Sequence, residues 1–163
     1  MYYRLELLPT EEGRPYYSNA DLPNENAGFD MFVVKEYNAT EMALNAKPCL
    51  FDLGTAARLV CVTDAGEKDV HYWLAPRSSV TKAGMMMANS MGVIDQSYRG
   101  TLMAPVWVVA QAPFMKTFET QSFKGSRFFQ IVTPDMGWIK EVRIVDSLPA
   151  TIRGTGGFGS TGK

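Results

Sequence analysis

Apolar stretches in this sequence are short, rich in Val, Ile, Tyr, Phe and Trp, and cut every few residues by turn formers. β-Branched and aromatic side chains fit a pleated sheet, and runs this short leave little room for ordinary helices. The candidate strands are 2–8, 29–34, 58–63, 70–75, 102–110, 127–133 and 138–145, bounded by turns such as Gly54, Asp64-Ala65-Gly66 and Pro134-Asp135-Met136-Gly137. Glu141 to Ile144 alternates polar and apolar residues, the mark of a strand with one wet face. Residues 102–110 do not alternate, so both faces of that strand are expected to be covered, in part by another subunit. A helix is predicted only over 78–84, with Ser78 or Ser79 as its cap and Gly84 as its end. The expected fold is all-β, a sandwich or barrel with at most one short helix.

Composition narrows the chemistry. The 163 residues suit one domain with a sizeable core. Sixteen Lys and Arg against 17 Asp and Glu leave a net charge of −1, which argues against a broad nucleic-acid surface. His71 is the single histidine, which excludes a His-rich zinc site, and it is read as a structural or surface residue. Cys49 and Cys61 are too few for a thiolate zinc site or a disulfide scaffold and are expected to be buried reduced thiols. The first 14 residues carry Arg4, Glu6, Glu11 and Glu12, unlike a signal-peptide core, and 102–110 falls far short of the roughly 20 residues of a membrane helix. The expectation is a soluble, intracellular protein with no membrane or nucleic-acid partner.

The last 11 residues, from Arg153, hold five glycines. Gly154 to Gly159 matches the spacing GxGxxG, but only four residues follow, too few for the helix that a dinucleotide needs. Gly157 to Lys163 begins like a phosphate-binding P-loop and lacks the hydroxyl after its lysine. A flexible tail is the simplest reading. Against it stand Phe158, an apolar group that a solvating tail has no use for, and the anion-binding groups of Arg153, Ser160 and Thr161.

Four further segments draw notice: Ala27-Gly28-Phe29-Asp30, Pro76-Arg77-Ser78-Ser79, the polar-bend segment 89–100 that reads as a β-hairpin, and Gly125-Ser126-Arg127 leading into Gln130. Taken singly, each reads as a turn, a cap, a hairpin or a strand entrance. Together, with GVIDQSYRG (92–100) and RGTGGFGSTG (153–162), they resemble the five ordered motifs of the trimeric dUTPase family.

That resemblance implies an antiparallel β-sandwich of jelly-roll type, a homotrimer with shared active sites, and Mg²⁺-dependent hydrolysis of dUTP to dUMP and pyrophosphate. It implies one domain over 1–163, of which 147–163 is a C-terminal arm closing over the ligand. By the same resemblance Asp95 orients and deprotonates the attacking water. An aspartate of ordinary pKa, about 3.9, is a weak base, so its contribution is largely positional. Asp30 matches the acidic residue associated with the metal, through water. Arg77, Ser78, Ser79 and Gln130 match phosphate contacts, with Arg127 in a structural or catalytic role. Asn89 and the backbone of Gly92 to Ile94 match the uracil edge, and Tyr98 lies under the deoxyribose. Phe158 stacks on the base, while Arg153, Gly159, Ser160 and Thr161 close on the γ-phosphate.

Ser79, Ser97, Ser126 and Phe129 depart from the usual family residues. Met85 to Met87 read as strand core. Trp73, Trp107 and Trp138 read as core or interface, and 102–110 as the three-fold contact. Two rivals use the same fold: a regulatory nucleotide-binding module, which has no need of Asp95, and a dCTP deaminase. The deaminase needs a glutamate near the hairpin, and none lies between Val80 and Gln111.

Overall fold

The first strand, β1 (Tyr2–Pro9), alternates in a way that explains the whole sheet it belongs to. Leu5 and Leu7 are fully buried in the core, while Arg4 and Glu6 on the opposite face are only 4% and 7% exposed. Buried charges need partners, and neighbouring strands supply them. Arg4 binds Glu6 (3.0 Å) and both oxygens of Glu67 (2.7 and 2.6 Å). Arg58 binds Glu6 (2.9 Å) and Asp69 (2.6 Å), and Arg99 binds the other oxygen of Asp69 (2.9 Å). A ladder of charge therefore crosses the sheet and ends on the loop that carries Arg99.

This computed structural model describes residues 1–18, 26–109 and 122–157. In chain order the elements after β1 are α1 (Arg14–Tyr17), β2 (Gly28–Met31), α2 (Ala39–Leu44), β3 (Cys49–Asp52), β4 (Thr55–Thr63) and β5 (Gly66–Val70). They continue as β6 (Tyr72–Pro76), α3 (Ser78–Lys82), β7 (Met85–Met87), β8 (Gly92–Ile94), β9 (Met103–Val108), β10 (Phe129–Val132) and β11 (Ile139–Ile144). Three sheets run in the orders β11-β1-β4-β5, β2-β10-β6-β8 and β3-β9-β7. Their inward faces share one core, with Met31, Phe51, Leu59, Leu74, Met85 and Phe129 contributed by the different sheets.

The mostly-β expectation holds, with three amendments. β1 and β11 pair in parallel, whereas the other ladders are antiparallel. Three short helices occur among the described residues, not one. α1 carries Pro15 in its first turn, where a missing N–H costs nothing, and α2 is capped by Asn38, whose side chain accepts from the Glu41 N–H (3.1 Å). α3 begins as predicted but without a serine cap, because the Ser79 hydroxyl donates to the Arg127 carbonyl instead (2.7 Å). Thirdly, 89–100 is not a local hairpin: β7 pairs with β9 and β8 pairs with β6, so the turn between them carries the chain from one sheet to another.

Met85 and Met87 are core, as expected of a strand there, whereas Met86 between them is exposed on the other face. Cys49 and Cys61 are free thiols, half-buried rather than enclosed. Trp73 and Trp138 are exposed, so neither belongs to the core of this chain. Ala104 and Val106 of β9 are buried, whereas Met103, Pro105 and Trp107 are half-open. Phe129 has a clear packing role: it is fully buried edge-on to Phe51 (6.3 Å) and Phe128 (6.4 Å) in an aromatic cluster that includes Phe123. No described helix is long and apolar enough to cross a membrane.

Candidate active site

Strand β6 carries candidate residues at both of its ends. At the C-terminal end, Pro76 is level with Phe129 of β10, and β10 in turn sets Gln130 beside Asp30 of β2. The Asp30 carboxylate lies between two guanidiniums, Arg77 Nε on one oxygen (2.9 Å) and Arg127 Nη1 on the other (3.3 Å). Arg77 and Ser79 both donate to the Arg127 carbonyl, at 2.9 and 2.7 Å, which ties the start of α3 to the entrance of β10. The Gln130 amide reaches back to the Pro76 carbonyl (3.5 Å). Asp30, Arg77, Ser79, Arg127 and Gln130 thus form one cluster, with Ser78 between Arg77 and Ser79 as the first residue of α3, rich in cations and hydrogen-bond donors and suited to an oxyanion.

Asp30 is the acidic residue of this cluster. Both of its oxygens carry guanidiniums, and no group of three or more His, Cys, Asp or Glu side chains is placed to hold an ion among the described residues. Within this chain the Asp30 carboxylate thus organises two arginines.

At the other end of β6, Tyr72 is level with Ile94 of β8. A cleft of about 230 Å³ opens here, lined by Asn89, Gly92, Ile94, Asp95 and Tyr98, with Arg153 and Gly157 arriving from the C-terminal segment. Asp95 follows the last residue of β8, and its Oδ2 accepts from Arg153 Nη1. The Arg153 guanidinium also sits 5.5 Å above the Tyr98 ring and donates from Nε to the Gly156 carbonyl (2.8 Å). Tyr98 donates from its hydroxyl to Thr101 O (2.8 Å), and burial raises its phenol pKa against the lowering pull of Arg153. Two glycines clasp that ring: a Cβ at Gly100 would lie 2.5 Å from the hydroxyl, and one at Gly157 2.6 Å from Cε2. Phe158, Gly159, Ser160 and Thr161 lie outside the described residues.

Three residues here escaped the sequence reading. Arg99 fastens the C-terminal segment, donating from its backbone N–H to Gly154 O (2.8 Å) and from Nε to Pro149 O (2.9 Å). Thr151 donates to Ser97 O. His71, set aside for matching no motif, lies with Nδ1 3.5 Å from Asp95 Oδ1 and accepts from the Gln96 N–H (3.2 Å). Arg99 stands inside GVIDQSYRG and was visible there; the other two had no sequence signal.

A family model described as dUTPase matches residues 19–162. This chain belongs to the dUTPase family. It is 31% identical over 151 residues to the deoxyuridine 5'-triphosphate nucleotidohydrolase of Chromobacterium violaceum, covering 91% of this chain and 87% of that protein. The protein of the same name from Escherichia phage T5 is 42% identical over 89 residues, and that match spans 55% of this chain and 56% of the relative. The chain thus spans little more than half the length of that dUTPase relative. Among solved structures, a mutant dUTPase of Staphylococcus bacteriophage 80alpha with dUpNHpp superposes with a TM-score of 0.52 at 19% identity, over 98% of both chains. A mutant dUTPase of phage phi11 of S. aureus, described with a structural Mg(II) ion, gives 0.51 at 16% identity over 78% of this chain and 88% of that one. These two likenesses establish the dUTPase fold.

Proposed function

We propose that this protein is a dUTP diphosphatase, hydrolysing dUTP to dUMP and pyrophosphate by attack of water on the α-phosphorus. The product would supply dUMP for thymidylate synthesis, and removal of dUTP would keep uracil out of DNA. The observation that carries the reading is Asp95 at the rim of a cleft lined by Asn89, Gly92, Ile94 and Tyr98. A nucleoside seated there would have its 5′ side near a carboxylate able to orient water.

In this reading the backbone of β8 and Asn89 meet the uracil edge. Cytosine would set an amino group where uracil has an acceptor, leaving donors opposed and unpaired. Tyr98, held by Thr101 and pinned by two glycines, is the wall that a 2′-hydroxyl would strike. The substrate is taken as the magnesium complex of the nucleotide, the ion arriving on the triphosphate. Arg77, Ser78, Ser79 and Gln130 are the phosphate contacts, with Arg127 beside them. Arg153, Gly159, Ser160 and Thr161 are the arm's contacts to the γ-phosphate, and Phe158 covers the base.

The two ends of β6 bear on assembly. Asp95 lies beside His71, and Asp30 beside Arg77, six strand positions away, or roughly 20 Å at about 3.3 Å per residue. Adjacent phosphates of one nucleotide cannot span that distance. The phosphate cluster of one chain would therefore serve the cleft of another, which supports a homotrimer with shared sites formed by single domains over 1–163, with 147–163 as the arm.

The deciding experiment incubates the purified protein and Mg²⁺ with dUTP, dCTP, dTTP and UTP in turn and identifies the products. Pyrophosphate and dUMP from dUTP alone are expected. No pyrophosphate from dUTP would overturn the proposal, and dUTP formed from dCTP would make the protein a deaminase.

A further inference from the structure

The ladder between β6 and β8 ends at the pair Tyr72 and Ile94, so these two strands pair no further. The next residues on either side are His71 and Asp95. In place of another ladder bond, the His71 side chain takes over: Nδ1 accepts from the Gln96 N–H at 3.2 Å. The rest of this turn is held from the other direction. Tyr98 N–H donates to Asp95 O (2.9 Å), Arg99 Nη1 donates to Gln96 O (2.6 Å), and Thr151 donates to Ser97 O. His71 thus supplies the hold on the amide immediately after Asp95.

We propose that His71 is a positioning residue for Asp95, acting through an unprotonated Nδ1. An imidazole nitrogen that accepts a hydrogen bond carries no proton, so the proton of the neutral ring is on Nε2. Nδ1 then lies 3.5 Å from Asp95 Oδ1 without donating to it. That leaves Oδ1 open to a water, while Oδ2 is engaged by Arg153. A proton on Nδ1 would reverse both effects: the Gln96 amide would lose its acceptor and the imidazolium would pair with the carboxylate. The charged groups around the ring are Asp95, from the loop after β8, and Arg153, on the far side of that carboxylate.

The inference rests on the proposed role of Asp95, and its tests separate the two. His71 is the chain's single histidine, so its ¹⁵N resonances need no assignment. At pH 8 the spectrum of the free protein is expected to report the Nε2–H tautomer; a dominant Nδ1–H tautomer overturns the proposal. Asparagine places Oδ1 at the same bond distance from Cα as Nδ1, so His71→Asn keeps an acceptor while His71→Leu removes it. The Gln96 amide is expected to exchange with solvent about tenfold faster in His71→Leu and near the wild-type rate in His71→Asn. With dUTP, His71→Leu is expected to lower kcat about tenfold at unchanged KM, and His71→Asn to restore it to within about threefold. Equal kcat for His71→Leu and wild type, or equal damage from both substitutions, overturns the positioning role. If the wild type does not turn over dUTP, the proposed activity fails, and the tautomer and the Gln96 exchange rates still decide the hydrogen bond.

Discussion

Arg153 donates to Asp95 within one chain, so the guanidinium of the C-terminal segment covers and neutralises the carboxylate proposed to orient water. A triphosphate would offer that guanidinium a stronger anion, and its departure would free Oδ2 as the nucleotide settles. One contact would thereby link occupancy of the cleft to the competence of Asp95.

Asp95→Asn keeps the shape of the side chain and removes its charge. Turnover of dUTP is expected to fall by about 10²–10⁴-fold, the range associated with losing a positioned base. Calorimetry should find nucleotide affinity within about threefold of the wild type. A collapse of binding would make Asp95 an affinity residue.

Arg153→Gln should raise KM for dUTP about tenfold, because the proposed γ-phosphate contact is a charge-assisted hydrogen bond. Steady-state kinetics checks it. Removing 154–163 is expected to leave a trimer by sedimentation with little activity; a monomer would mean that the arm also holds subunits together.

Asp30→Asn tests whether this residue is a metal ligand or an organiser of arginines. Loss of its charge unpairs Arg77 and Arg127, and kcat/KM is expected to drop about tenfold. The Mg²⁺ concentration for half-maximal rate should stay within about twofold. A tenfold increase in that concentration would assign Asp30 to the metal.

Phe129→Ala should destabilise the fold by about 3–5 kcal/mol, the usual cost of truncating a fully buried phenylalanine. Urea denaturation measures it. A cost below about 1 kcal/mol would mean that the neighbouring rings close the gap.

Asp69 gives a pH dependence. Burial pushes its carboxyl up, but hydrogen bonds and charge from Arg58 and Arg99 outweigh that and leave it below the ordinary aspartate range. The unfolded chain therefore binds its proton first, and the stabilisation is present above about pH 4 and lost as pH falls through the folded value. In urea, wild type should exceed Asp69→Asn in stability at pH 7, with the gap closing towards pH 3. A gap independent of pH would refute the assignment.

The sheets were legible because alternation and turn residues are local signals, and β1 and β11 display them plainly. Which strands pair was not. The parallel union of β1 with β11 and the crossing from β7 to β8 depend on contacts between distant segments. α2 was readable in principle from Asn38 and Glu41, a cap and a third-position acid that the prediction passed over. The candidate site residues were proposed only through their ordered motifs. His71 belongs to no motif and reaches Asp95 because β6 and β8 are adjacent, which no spacing in the sequence encodes.

The parallel pairing of β1 with β11 also bears on how the chain is made. β1 can meet β4 early in synthesis, yet its other edge stays open until residues 139–144 have left the ribosome. β1 is thus completed by a strand far downstream, a closure of high contact order that delays the sealing of this sheet. A nascent chain stalled short of Ile144 would expose a bare strand edge, the usual seed of aggregation. Because Val145 N–H then binds Leu7 O (2.9 Å), the arm becomes anchored in the same step that seals the sheet.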